Sequence, residues 1–492
     1  MHRFANWLQI NRTILIILAA ALALRLLLFG ILIGHFDRAA EPDTGSYIAI
    51  ARDWPVDLWS PSSSDLALTL VRTPGYPALI AAAGMHTPLI LLIQIALSLL
   101  AILIAYRLTL ALAGGFGAAI AAGILAFEPV SLAHDFLLLS EILFMATLLA
   151  AVALWIRGML GGWTWIALAG LTFGLATLVR PVTLYLVIPL LVFTAVKLRH
   201  HHPTVPCAIL LVAFLVPTGG WTLRNMVLTG HPVYTTIAAL DLAYYRGAYA
   251  LAFEEHVPIS QADATIDAQV TATDPVTRAD QAQRAGVQEL IAHPWGAVAI
   301  TVTGAGALLL GPGQAEWPAL LGVNSINGFV KAGGFVISCG LFALTLVGSV
   351  LAWRDRRWEL LAMIVVAGYL VVVSSGGESY SRMRVPLEPF MAILSAFAAV
   401  RIRHEIQRPK PADESSLVTP NPPSLGVDNK VVEFGDPEQL AAPPRFRVTR
   451  VVLGLGWTEW AALASGFVGD VTRRSGTASH RSVNLSPAES YT

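Results

Sequence analysis

The sequence predicts an all-α fold: a polytopic helical membrane protein of about 10 to 12 spans, with helical external loops and a disordered cytoplasmic tail. Three observations predict it. Of 492 residues, 55% are hydrophobic and only 13% are charged, about half the share found in soluble globular chains. The mean hydropathy is +0.64 although both ends of the chain are polar, so the apolar residues must gather in long runs. Lys plus Arg balances Asp plus Glu at 32 each, which leaves no basic excess for nucleic acid.

The elements follow in chain order. The run Thr13 to Gly34, behind Arg3 and Arg12, is longer than a signal-peptide core and has no clear small-x-small cleavage site. It reads as a retained first span with a cytoplasmic N-terminus. Apolar stretches near 88–108, 112–127, 139–157, 163–180, 182–197 and 205–222 continue the series, and those near 331–353, 358–375 and 386–400 complete it. A short piece near 297–311, rich in glycine, reads as re-entrant or interfacial. Cys207 and Cys339 fall inside apolar runs, as buried inert thiols do, and give no disulfide framework.

Basic residues set the orientation. Arg107, Arg157, Lys197 to Arg199, Arg354 to Arg357, Arg401 and Arg403 flank spans on one side, which is then the cytoplasm. Residues 35–87, 223–330 and 376–386 become external loops. Residues 1–400 form the transmembrane domain. Eight prolines between Pro409 and Pro444 mark 401–492 as a disordered cytoplasmic tail, whose apolar patch Val451 to Val468 is at best an interfacial helix. No internal repeat is evident. The expected location is the inner (plasma) membrane, with both termini cytoplasmic and the active site facing outside.

Chemistry concentrates in the external loops. In Glu41-Pro42-Asp43-Thr44-Gly45-Ser46-Tyr47, Pro42 and Asp43 open a short helix with Tyr47, Ile50 and Ala51 on one face. By spacing alone, Asp43 is better explained as a helix cap. The loop ends in Arg72-Thr73-Pro74-Gly75-Tyr76-Pro77, a cation in a rigid turn, which either snorkels to headgroups or holds a lipid phosphate. Arg382 and Arg384 lie on the side that basic residues avoid, so paired cations there imply an anion.

These landmarks resemble the GT-C superfamily of integral membrane glycosyltransferases, in particular bacterial enzymes similar to the lipid A aminoarabinose transferase and the protein O-mannosyltransferases. The resemblance covers roughly residues 10 to 400. Pro42-Asp43 with Tyr47 and Ile50 is similar to the family's first-loop motif, which makes Asp43 the catalytic carboxylate. Arg72 to Pro77 is similar to the segment that gives a basic residue to the donor phosphate. Ser140-Glu141, Leu178-Val179-Arg180-Pro181, Trp221 with Arg224-Asn225, and Arg382 to Pro386 with Pro389 also look like family landmarks. Thr44 stands where many relatives carry a second acidic residue, so metal dependence is in question and a divalent metal is the one cofactor left open. The large soluble C-terminal domain of some relatives is missing.

The resemblance implies transfer of a sugar from a polyprenyl-phosphate donor to a lipid, polysaccharide or protein acceptor. Asp43 would take the acceptor's proton, and Arg72, Arg382 and Arg384 would hold the phosphate. One carboxylate suffices for a single displacement, so inversion at the anomeric carbon is expected. Tyr47, Tyr76, Glu141, Arg180, Arg224 and Tyr245 are further candidates to line the cavity. Against these roles stand a helix-start carboxylate for Glu141, structural ion pairs for Arg180 and Arg224, and interfacial aromatics for Tyr245. Asp135 and Glu141 are six residues apart, so only one faces the cavity. Arg25 reads as a partner for a neighbouring helix. His200 to His202, beside Lys197 and Arg199, read as a solvated topology determinant rather than a metal tract.

A secondary transporter or lipid flippase is the alternative, but it would concentrate polar residues in broken helices at the bilayer midplane rather than in outer loops. A non-catalytic scaffold leaves the first-loop motif unexplained.

Overall fold

A computed structural model describes residues 2–407 apart from 53, 201, 314 and 315, and every element in it is helical. The expected tail from 408 on, with its Val451 to Val468 patch, lies outside the described residues. Helix ends follow local chemistry. Glu128 accepts from the backbone N–H of Val130 (2.6 Å) and Ser131 (2.9 Å), and Pro129 fills the first position of the Pro129–His134 helix. Asp274 does the same for Pro275–Ala292 through the N–H of Thr277 at 2.8 Å. The Thr204–Thr229 helix stops at Gly230, whose φ of 76° only glycine adopts freely.

Among the described residues, six helices are long and apolar enough to cross a membrane, or seven if Pro275–Ala292 and Pro294–Leu310, bent by 101°, form one broken span. The expected 10 to 12 spans are not confirmed on that measure. The apolar helices Trp163–Val179, Pro181–Lys197 and Trp358–Ser374 are shorter. The two stretches expected at 88–108 and 112–127 fall in Thr87–Phe127, which is two helices joined at Gly114, where φ 74° and ψ −178° leave helical geometry.

The outer surface of the bundle is apolar: Val216, Val302 and Val336 are 63%, 66% and 68% exposed. A surface of this kind is matched to lipid. In lipid, apolar burial alone drives little helix association, so close packing and internal polar contacts hold the bundle. Trp155 is fully buried, edge-on to Phe173 and Phe193, and donates to Thr194 Oγ1 at 2.9 Å. Arg25 in the first span reaches Asp135 (2.6 Å), Ser98 Oγ (3.0 Å) and the Ala126 carbonyl (3.0 Å), all in the interior. At one end of the bundle, Lys197 lies over the Trp358 ring, Arg401 pairs with Asp355 at 2.8 Å and Arg403 lies over Phe116. The helices of the loop regions cover the other end, where the Thr236 N–H donates to the Leu70 carbonyl at 2.9 Å.

Candidate active site

The site is assembled from five places in the chain. The Pro42–Arg52 helix forms as its spacing requires, with Thr44, Tyr47, Ile50 and Ala51 on the buried face. Asp43 is the second residue of this helix and not its cap, and Thr44 Oγ1 accepts the Glu41 N–H at 2.9 Å across the helix start. The Asp43 carboxylate turns to two arginines instead. Asp43 Oδ1 lies 2.5 Å from Arg72 Nη2, and Oδ2 lies 2.7 Å from Arg382 Nη2.

Arg72 is placed by its turn. It ends the Ser63–Val71 helix in extended geometry, and the chain then runs over the end of Trp163–Val179. Thr73 Oγ1 donates to the Val179 carbonyl at 3.3 Å. A Cβ on Gly75 would stand 2.7 Å from the Leu178 carbonyl oxygen, so glycine alone permits the approach. The guanidinium also donates to Ser46 Oγ at 3.1 Å and covers the Tyr47 ring at 5.2 Å.

Arg382 is the hub. It sits in the 3₁₀ turn Ser381–Leu387, only 7% exposed, and binds Asp43, Glu141 through Nε, and Glu41 at 3.5 Å. Glu141, at the start of Glu141–Met159, also holds Arg180 Nη1 at 2.5 Å. The result is an alternating chain of charges: Arg72, Asp43, Arg382, Glu141, Arg180. In low dielectric such alternation is what makes five ionic groups tolerable together. The chain is open at Asp43 and Arg72, which each keep 23% of their side chains exposed, and at Arg180, which keeps 21%. Burial by itself would raise the Asp43 pKa, but Arg72 and Arg382 outweigh it and hold the carboxyl well below the usual range. The same carboxylate keeps Arg72 raised against its own burial.

Other expected residues fall nearby or apart. Tyr47 and Tyr76 pack edge to face at 5.0 Å beneath the Asp43 helix, and Tyr76 donates to Gln94 Oε1 at 2.9 Å. Tyr245 lies within the field of Glu378, Asp241, Asp43 and Arg72. Arg384 does not join the cluster. Its fully buried guanidinium binds Glu128 (2.9 Å), Glu388 (3.3 Å) and the carbonyls of Leu309 (3.0 Å) and Gly311 (2.8 Å). Arg224 is also elsewhere, donating to the Leu58 carbonyl, Thr69 Oγ1 and Asn225 Oδ1 and thereby fastening the first loop to Thr204–Thr229.

Sequence reasoning assigned no role to Glu41, although it opens the motif, nor to Ser46, Tyr380 or Asp241. Tyr380 lies against Arg382, and burial pushes its hydroxyl up to about 12. Asp241, a lone acid in an otherwise apolar and aromatic stretch, is the signal that was available. His134 is a buried neutral ring: burial lowers it to about 4, and its Nδ1 lies 2.8 Å from the Val130 carbonyl. No group of three or more His, Cys, Asp or Glu placed to hold a metal exists among the described residues. Glu41, Asp43 and Glu141 are turned onto guanidinium groups, so this donor set does not fit a divalent cation.

Residues 78–221 match the model of the dolichyl-phosphate-mannose-protein mannosyltransferase family. Over those residues the resemblance to GT-C glycosyltransferases is borne out. The mannosyltransferase-like segment carries Glu141 and Arg180, whereas Asp43, Arg72 and Arg382 lie outside it and are tied to it by Arg382 on Glu141. None of the curated proteins matches the chain. Among solved structures, it is similar to the oligosaccharyltransferase of Archaeoglobus fulgidus in the apo form (16% identity, TM-score 0.39, 68% of this chain and 43% of that one). It is also similar to the oligosaccharyltransferase AglB of that organism in complex with an inhibitory peptide and a dolichol-phosphate (15% identity, TM-score 0.45, 94% and 57%). The chain therefore spans about half the length of these archaeal proteins.

Proposed function

We propose that this chain is a membrane glycosyltransferase that moves a sugar from a polyprenyl-phosphate donor to an acceptor on the outer face of the inner membrane, with inversion. The observation that carries it is the Asp43 carboxylate held between Arg72 and Arg382 at the open side of a buried ionic chain. The mannosyltransferase match favours a mannosyl phosphate lipid as the donor.

The arrangement puts a base beside two planar cations. A donor phosphate would take the Arg72 and Arg382 donors now used by Asp43, in charge-assisted bonds. Asp43 is thereby released, and its proton affinity rises as its two counter-charges are shared. The acceptor hydroxyl or amine then attacks the anomeric carbon. The new bond to C1 forms as the C1–O bond to phosphate breaks, the acceptor's proton passes to Asp43, and the electron pair leaves on the polyprenyl phosphate. Arg72 and Arg382 hold that leaving charge. Glu141 and Arg180 fix the Arg382 fork, and Tyr47 and Tyr76 support the helix that carries Asp43. Arg384 acts through its buried network by anchoring the 3₁₀ turn that presents Arg382. The domain of residues 1–400 does the chemistry, and 401–492 is a cytoplasmic tail.

Asp43→Asn keeps size and removes basicity. Transfer from a polyprenyl-phosphate mannose to membrane acceptors should fall by at least about 10²-fold, while the protein still inserts and binds lipid phosphate. Near-normal turnover would remove Asp43 from catalysis. Movement of a solute across vesicles without transfer would favour a transporter instead.

A further inference from the structure

Asp241 opens a π-helical segment, Asp241–Gly247, which is pinned on three sides. Arg246 donates to the carbonyls of Val372 (3.1 Å) and Val373 (2.8 Å) at the end of Trp358–Ser374. Tyr244 donates to Asp267 at 2.6 Å, and the Tyr245 carbonyl accepts the Gly377 N–H at 3.0 Å. An interruption of this kind in a helix often marks a functional site. The charges that act on Asp241 are those of Arg72, Asp43, Arg180 and Arg246, with Arg72 the strongest. Tyr245, one turn on, feels Asp43 and Arg72 as well. Residues 241 and 245 therefore both lie within the fields of Asp43 and Arg72, and the Tyr245 carbonyl joins this segment to the chain that leads into Arg382. Asp43, Arg72, Arg382 and Glu141 are all matched by opposite charge, but no hydrogen bond or ion pair engages the Asp241 carboxyl among the described residues.

We infer that Asp241, with the Tyr245 ring beside it, binds the transferred sugar through its hydroxyl groups and so determines which sugar is accepted. This rests on the reading of Arg72 and Arg382 as the phosphate site. A phosphate held there puts the sugar within one ring's width of the phosphorus, beside the partly exposed Asp43 and Arg72 whose fields reach Asp241 and Tyr245. Adjacent hydroxyls suit a carboxyl group, whose two oxygens can engage both, and a sugar's C–H face suits an aromatic ring. Burial pushes the Asp241 carboxyl up to about 7, so near neutrality it also offers a proton to a sugar oxygen. Asp43 remains the only base the reaction needs.

The test uses the full-length purified chain and two probes, a polyprenyl phosphate and the same lipid bearing mannose or glucose. The wild type should bind the better sugar-bearing lipid more tightly than the bare one. Asp241→Leu, which leaves no buried charge, should erase that advantage, weakening the sugar-bearing lipid about tenfold while leaving the bare lipid within about twofold. Asp241→Asn should keep part of the advantage, and Arg72→Ala should weaken both lipids. Equal weakening of both lipids by Asp241→Leu, no weakening of either, or no sugar advantage in the wild type overturns the inference while the phosphate site stands. Binding of neither lipid by the wild type overturns the phosphate reading and the inference with it.

Discussion

At the scale of single residues, the site depends on which side of a charge each group faces. Arg72 uses a planar fork, with one arm on Asp43 and another on Ser46, so Arg72→Lys keeps the charge and loses the geometry. Polyprenyl phosphate binding should weaken about threefold to tenfold in Lys and further in Ala, as measured by thermal shift with added lipid. Asp241 makes a pH-dependent contribution of known sign. With Arg72, Arg180 and Arg246 favouring its charge and Asp43 and its burial opposing it, the folded chain keeps its proton up to about pH 7, while the unfolded chain loses it near about pH 4. Stability therefore falls as pH rises across that window and levels off above it. Asp241→Asn should melt above the wild type at pH 8 and with it near pH 4; identical melting at both pH values would show that the carboxyl is not held back. The pair Arg382 and Arg384 shows why sequence reasoning stops here. Two residues apart, they read alike as outward-lying cations, yet one binds Asp43 and the other Glu128 and Glu388.

At the scale of elements, two contacts position the site. Gly75 lets the Arg72 turn lie on the end of Trp163–Val179, where Arg180 begins. Gly75→Ala forces backbone apart and should cost about 1–3 kcal/mol, with transfer reduced more than binding because Arg72 and Arg180 no longer hold their spacing. Chemical-denaturation midpoints and turnover together check this. The second contact is Arg25 with Asp135, both fully buried. Asp135→Ala leaves an uncompensated guanidinium and should destabilise by about 3–5 kcal/mol, whereas replacing both by leucine should recover most of that loss. The helix opened by Pro42 and Asp43 and its buried face were legible in periodicity and in Pro placement. The boundary between the stretches at 88–108 and 112–127 was legible too, and the backbone leaves helical geometry at Gly114.

At the scale of the whole molecule, the proposed topology puts the ionic chain outside and the Lys197, Asp355 and Arg401 end inside. In a background lacking Cys207 and Cys339, Gln261→Cys should react with an impermeant maleimide from outside and Arg354→Cys only after permeabilisation; reaction of both from one side would reverse the assignment. By itself the sequence determined the helical, lipid-facing character of the chain, because composition and hydropathy act through solvent and need no partner. It also determined which loops hold unusual charge, since an ionic group in so apolar a chain stands out wherever it lies. Only the tertiary structure decided which charges meet. Arg382 reaches Glu41, Asp43 and Glu141 across more than 200 positions of chain, and an ion pair is set by distance and direction in space, which no local spacing encodes. For the same reason Arg384 went to a buried network, and Asp241, passed over in the sequence, came within the fields of Arg72 and Asp43.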